Sequence, residues 1–310
     1  MKKLRHYLFE LGHSPELASK ELSNYLLREK IKYQKQVLSP QLLQISCKQR
    51  LDTSRAITQL AGTVRICIKL SDLTYTNSSL VEDKIIQSIF DSLVHSHTTK
   101  PNFSLSTIGF SPNKTNIALK IKKQLQNQQQ PSRFIQPKDL FLNPIQFSDK
   151  TYEFILIKNT NLVSLYQTLS VTDVKSWQKR DRMRPVVDSK SGILPPKTAR
   201  MLLNLGLPNP LTDDTIVYDP FCGSGTIISE ALTLGIKAIG SDISQTAVTQ
   251  TQENINWLIK EFNLQQSSKI FHADALQVSL KDVDNNLVDA IVSESDLGPV
   301  LPEPKDLPQI

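Results

Sequence analysis

The residues in this chain best suited to chemistry by type and spacing are Tyr218-Asp219-Pro220-Phe221-Cys222-Gly223-Ser224-Gly225-Thr226, an acid set immediately before a glycine turn. Gly223 and Gly225 allow a tight turn and a close backbone approach to a ligand, as a strand-to-helix cofactor crevice in an open α/β sheet requires. Thr215 to Tyr218 reads as the entering strand and Thr226 to Leu234 as the departing helix. A second strand, Lys237 to Gly240, ends at Ser241-Asp242-Ile243. An acid at that position can accept hydrogen bonds from both hydroxyls of a ribose.

A dinucleotide and a sulfonium cofactor both fit this outline, and charge separates them. The third glycine of G-x-G-x-x-G is absent, because Ile228 stands there, and Asp219 would face a pyrophosphate with like charge. S-adenosylmethionine reverses the sign, since its methionine end carries an ammonium and its sulfur a positive charge. Asp219 and Asp242 are therefore the expected charged contacts of the cofactor, with S-adenosylmethionine as that cofactor. A nicotinamide-binding protein is the weaker alternative.

The elements that must position these residues belong to a chain of 310 residues with 39% hydrophobic content, room for two or three soluble domains. No apolar run approaches the ~20 residues needed to span a bilayer, and the basic start Met1-Lys2-Lys3-Leu4-Arg5 is followed by no long apolar stretch. A cytoplasmic protein without a membrane partner is expected, and the sequence names no protein partner. Cys47, Cys67 and Cys222 are widely spaced, which indicates neither a disulfide framework nor a metal site. A net charge of +6 favours an anionic partner. Two basic clusters suit successive phosphates: Lys114, Lys120, Lys122, Lys123 and Arg133, and Lys175, Lys179, Arg180, Arg182 and Arg184.

From the start, the patterning predicts a strand at His6 to Gly12, a helix from Ser14-Pro15-Glu16 to Leu27, strands at Tyr33 to Leu38 and Leu42 to Cys47, a helix at Ser54 to Leu60 and a strand at Thr63 to Leu70. That β-α-β-β-α-β order is the ferredoxin-like arrangement, here over residues 1–72. A polar linker at Ser71 to Ser79 leads to a second α/β unit, residues 78–170. Its helices are expected at Leu80 to Val94 and Lys114 to Leu125, the latter with an imperfect apolar face of Ile117, Leu119, Ile121 and Leu125. Residues 171–195 read as a linker, and the proline pair Pro195-Pro196 opens a helix at Lys197 to Leu205.

The strings R-D-R-M-R-P from Arg180, S-G-I-L-P-P-K-T-A-R-M-L-L-N-L from Ser191, Y-D-P-F-C-G-S-G-T-I from Tyr218 and Asn254-Ile255-Asn256-Trp257 resemble the THUMP-domain RNA methyltransferases. The branch most similar is the tRNA guanine-N2-methyltransferases that modify guanosine ten. Y-L-F-E-L-G near the start and Leu60-Ala61-Gly62-Thr63-Val64-Arg65-Ile66 extend the resemblance over nearly the whole chain. It implies an α/β protein with an N-terminal ferredoxin-like domain, a THUMP domain that grips tRNA, and a Rossmann-like class I methyltransferase domain at residues 196–310. Carried across, the resemblance implies that Asp219 holds the methionine ammonium, that the backbone from Cys222 through Gly223 and Gly225 to Thr226 faces the methionine and ribose, that Asp242, followed by Ile243, holds the ribose hydroxyls, and that Asp274, beside Ala275, meets the adenine amino group. Lys122, Lys123, Arg133, Arg180, Arg182, Arg184 and Lys197 are the expected RNA contacts.

In the same family a D-P-P-Y-G segment after the fourth strand presents the target base. Here that strand is Val288 to Val292, and the segment is Ser293-Glu294-Ser295-Asp296-Leu297-Gly298, without the prolines or the aromatic. Ser293 and Glu294 are its candidate catalytic residues. A class I sheet continues with three more strands, whereas Pro299 to Ile310 holds four prolines, so an incomplete methyltransferase domain is expected. Two functions follow: methyl transfer to a guanine N2 amine in tRNA, or tRNA binding by a protein whose methyltransferase half does not turn over.

Overall fold

The computed structural model of the chain describes residues 3–75, 78–96, 98–187, 194–279, 283 and 288–295. Ser191-Gly192-Ile193, Asp296-Leu297-Gly298 and the tail from Pro299 lie outside them. The chain forms two compact units, one of residues 1–16, 31–58 and 63–173, the other of residues 17–30, 59–62 and 174–310.

The elements run β1 (Arg5–Leu11), α1 (Pro15–Arg28), β2 (Tyr33–Ser39), β3 (Leu42–Cys47), α2 (Thr53–Gln59), β4 (Thr63–Thr74), α3 (Ser78–Val94), β5 (Asn102–Ile108), α4 (Lys114–Asn127), β6 (Arg133–Phe134), β7 (Thr151–Asn159) and β8 (Leu162–Val171). Their strands make one eight-stranded sheet in the order β2-β3-β1-β4-β8-β7-β5-β6. The polar stretch from Ser71 does not open a linker, because β4 runs on to Thr74 and pairs antiparallel with β8 from Arg65↔Val171 to Thr74↔Leu162. Backbone pairing does not depend on side-chain polarity, so the strand continues with Leu70, Asp72 and Thr74 exposed and Ser71 and Leu73 half-buried between them. The two sequence-derived α/β units therefore share one sheet.

Below that sheet, α3 and α4 supply apolar stripes at helical spacing: Val81, Ile85, Ile89 and Leu93 from α3, and Ile117, Ile121 and Leu125 from α4. These pack on Phe103, Leu105, Phe154, Leu156, Val163 and Leu165 of the strands. Leu119, expected in the apolar face of α4, is 59% exposed, and Ala118 is buried instead. Two residues of helix turn the side chain through roughly 200°, so 117 and 119 cannot face the same way.

The second unit continues with α5 (Val174–Arg182), α6 (Pro196–Gly206), β9 (Ile216–Asp219), α7 (Thr226–Thr233), β10 (Lys237–Asp242), α8 (Gln245–Phe262), β11 (Ser268–His272) and β12 (Ala290–Ile291). Its strands are parallel and ordered β11-β10-β9-β12. The core joins Ala199 and Leu203 of α6, Ile227, Ile228 and Ala231 of α7 and Ile255 and Leu258 of α8 to Val217 and Ala238 of the sheet. From β9 the chain steps outward through β10 to β11, then returns to the other side of β9 as β12. The order reverses between β9 and β12, and in open parallel sheets ligands bind at the carboxyl ends of the strands beside that reversal.

Segment 17–30 belongs to this second unit through Glu21 of α1. Its fully buried carboxylate accepts the N–H groups of Ala61 and Gly62 at 2.9 and 2.8 Å and the side-chain amide of Asn204 in α6 at 2.7 Å. Burial pushes its pKa up, against the pull of those hydrogen bonds.

Candidate functional site

The site is built from four strand ends. β9 delivers Asp219, which is 2% exposed, and Oδ1 accepts the Phe221 N–H at 3.1 Å and the Ser293 hydroxyl at 2.5 Å. Ser293 reaches Asp219 because β12 lies beside β9, with Ile291 opposite Tyr218 and the Val292 N–H donated to the Tyr218 carbonyl at 3.0 Å. Burial raises the Asp219 carboxyl to about 6; the two hydrogen bonds pull it down, and the charges of Asp242 and Glu294 push it further up. Asp219 and Ser293 thus flank the point where strand order reverses.

The glycine turn follows from local sterics. Gly223 and Gly225 take φ of +52° and +84°, a region costly for residues with a Cβ. At Gly225 a Cβ would also lie 2.8 Å from Cγ2 of Thr251. At Gly223 it would meet nothing within 4 Å, so the turn is open on that side. The Gly223 N–H is donated to Asp242 Oδ2 at 3.0 Å and the Ser244 N–H to Oδ1 at 2.9 Å, which fixes the second carboxylate against the turn at the end of β10. Ile243 is 68% exposed beside it, its carbonyl accepting from His272 Nε2 at 2.8 Å. Beyond β11, Asp274 accepts the Leu276 N–H at 3.0 Å and the Gln277 side-chain amide at 3.3 Å, capping a short turn that carries half-buried Ala275.

Cys222 is placed differently from a ligand-facing residue. Its N–H is donated to the Ser241 carbonyl at 2.9 Å, its side chain is buried, and burial pushes the thiol to about 12. A Cβ on Gly240 would lie 3.1 Å from that of Cys222, so Cys222 packs the turn down onto β10.

Two residues of α8 buttress the turn, and sequence reasoning gave neither a role. Thr251 donates to the Gly223 carbonyl at 2.7 Å. Asn254 donates to the carbonyls of Ser224 at 2.9 Å and Val186 at 3.0 Å and accepts the Val186 N–H at 2.9 Å, so one amide ties the turn to the segment after α5. An asparagine at a buried helix position, three residues after a threonine, was the available signal.

The expected RNA contacts divide into two groups. Lys122, Lys123 and Arg133 are exposed on the first unit, and the Arg182 side chain is 81% exposed on the second. Three others point inward and correct the expectation. Arg180 pairs with Glu230 at 2.8 Å and stacks 4.1 Å from the centre of the Trp177 ring. Glu230 also pairs with buried Arg200 at 2.7 Å, forming a charged cluster of α5, α6 and α7. Arg184 is 6% exposed, with Nη1 donating to Thr226 Oγ1 at 2.8 Å at the start of α7. Half-buried Lys197 sits 5.6 Å from the Trp177 ring centre, and burial lowers its pKa. An alternation of arginines in sequence does not reveal which face of a helix end is solvated, and here the acid that claims Arg180 lies in another helix.

Three carboxylates, Asp219, Asp242 and Glu294, interact at one glycine turn. Such a site attracts a cation and repels a pyrophosphate. Glu294 is exposed at the mouth, where a carboxylate can accept hydrogens from an amine.

A family profile described as DNA methylase matches residues 45–253. The tRNA (guanine(10)-N2)-dimethyltransferase of Methanocaldococcus jannaschii is 32% identical over 148 residues, 46% of this chain and 39% of that protein. The protein of the same description from Methanothermobacter thermautotrophicus is 34% identical over 122 residues, 39% of this chain and 32% of that protein. The match therefore spans well under two thirds of either relative. Among solved structures, SMU.472, described as a candidate methyltransferase complexed with SAH, superposes with a TM-score of 0.50 at 13% identity, covering 98% of this chain and 84% of that one. That likeness is one of fold.

Proposed function

The chain belongs to the DNA methylase family, and from that membership we propose that it transfers a methyl group from S-adenosylmethionine to the exocyclic N2 amine of a guanosine in tRNA. The observation that carries the reading is Asp219: a buried carboxylate at the strand-order reversal, before a φ-positive glycine turn, with a charge that suits an ammonium. Its companions fit the rest of the cofactor. Asp242 has both oxygens anchored by backbone N–H groups and keeps lone pairs for a ribose diol. Ile243, Asp274 and Ala275 border the place of the adenine. The cofactor supplies an electrophilic methyl, and the protein's part is to align an amine lone pair with it.

The base must leave its stack to reach that methyl. Glu294 is the residue we assign to accept the amine hydrogens, with Ser293 holding Asp219 beside it. The tRNA of the archaeal relatives is taken as the substrate here. A ferredoxin-like arrangement over 1–72 and a THUMP domain over 78–170 grip it through Lys122, Lys123 and Arg133, and Arg182 adds a contact from the methyltransferase unit.

Incubation with labelled S-adenosylmethionine and unmodified tRNA tests the reading. Label entering RNA with the parent chain and not with Asp219→Ala supports it. Absence of transfer while tRNA still binds supports a second reading, an RNA-binding protein with a silent methyltransferase half. One feature favours that alternative: the Ser293 hydroxyl donates to Asp219, and Glu294 is the one carboxylate that the described residues of the segment, 293–295, offer an amine.

A further inference from the structure

Arg184 is 6% exposed, yet Nε and Nη2 have no hydrogen-bond partner among the described residues. Among the described residues, Thr226, the first residue of α7, engages Nη1 alone. A guanidinium carries five N–H donors, and burying several of them unpaired costs kilocalories, so a partner is expected for them. Burial lowers its pKa, opposed by Asp181. The helix start beside it adds a partial positive charge and backbone donors. Both features suit one small anion at the start of α7, directly after the glycine turn.

We propose that Arg184 binds the α-carboxylate of the methionine end of S-adenosylmethionine, so that this zwitterionic end is held by opposite charges, its ammonium by Asp219 and its carboxylate by Arg184. The assignment rests on the cofactor reading above and extends it to specificity, because a cofactor lacking the carboxylate would leave the guanidinium unpaired. It also accounts for the inward turn of a residue whose sequence neighbours suggested RNA. Asn254 holds Val186, two residues on, at the same turn, so the segment bearing Arg184 is fixed to the site by a separate set of hydrogen bonds.

Calorimetric titration of the full chain with S-adenosylmethionine and with its decarboxylated analogue separates the outcomes without reference to turnover. The parent is expected to prefer S-adenosylmethionine by roughly 10- to 100-fold, the range of one charge-assisted contact. Arg184→Gln should lose that preference by weakening the parent cofactor alone, and Arg184→Lys should restore part of it. Equal affinity of the parent for both compounds overturns the proposal while leaving the cofactor reading intact, and it depends on no variant folding. A preference that survives Arg184→Gln, or a loss of both affinities together, also overturns it by showing a packing role at Thr226. Failure of the parent to bind either compound overturns the cofactor reading itself and this assignment with it.

Discussion

Replacing Asp219 with asparagine should make the protein more stable and less able to bind its cofactor. The carboxyl is raised to about 6 from an ordinary value of 3.8, chiefly by burial. In the folded state it holds a proton that the unfolded chain has released between those values, so stability falls as pH rises through that window and stays lowered above it. A shift of about 2 units corresponds to about 3 kcal/mol. Asparagine keeps an oxygen to accept from Phe221 and Ser293 and removes the charge, while its new amide donors cost about 1 kcal/mol if left unpaired. The net gain of about 2 kcal/mol should appear at pH 8 as a rise of roughly 4–8 °C in the melting midpoint. At pH 4 the gain should vanish, because the aspartate is then protonated in the fold. Thermal scans across pH 4–8, paired with S-adenosylmethionine titrations, provide the assay. Equal stability of the two proteins at pH 8 would refute the buried-charge argument, and undiminished cofactor affinity would refute the role of Asp219 as ammonium anchor.

Four further outcomes follow from the same geometry. Cofactor affinity of the parent should weaken as pH drops below about 6, since a neutral Asp219 loses its attraction for an ammonium; a titration series at constant ionic strength reads this directly. Gly225→Ala should cost roughly 1–3 kcal/mol through its φ of +84° and the 2.8 Å approach to Thr251, and adding Thr251→Ser should recover part of the loss in a denaturant melt. Asn254→Ala removes three hydrogen bonds, so a loss of about 2–4 kcal/mol and faster amide exchange at Val186 are expected. Glu230→Gln leaves Arg180 and Arg200 without their shared counter-charge in a buried setting, and a loss of roughly 3–5 kcal/mol is expected by chemical denaturation.

Much of this arrangement was legible in the sequence because local rules agreed with the fold. The strand into Asp219, the turn at Gly223 and Gly225, the helix from Thr226 and the strand ending at Asp242 each carry their own backbone or periodicity signal, and all lie where the sequence placed them. The illegible parts depend on partners distant in the chain. β4 outlasts its apolar stretch because β8, nearly a hundred residues later, pairs with it to Thr74. Arg180 and Arg184 look like phosphate contacts until Glu230 and Thr226 claim them from α7. Ser293 reads as a replacement for a base-binding residue, and its hydroxyl instead caps Asp219 once β12 settles against β9. Leu119 is the exception, since helical geometry alone excluded it from the stripe of Ile117 and Ile121.

The family is described by methylation of DNA, whereas the archaeal relatives are tRNA enzymes, so the position of the transferred methyl decides the account. Mass-spectrometric nucleoside analysis of unmodified tRNA after incubation with the chain and S-adenosylmethionine should reveal N2-methylguanosine, abolished by Asp219→Ala and strongly reduced by Glu294→Gln. Methyl found on adenine N6, on DNA in preference to tRNA, or undiminished in Asp219→Ala would contradict it.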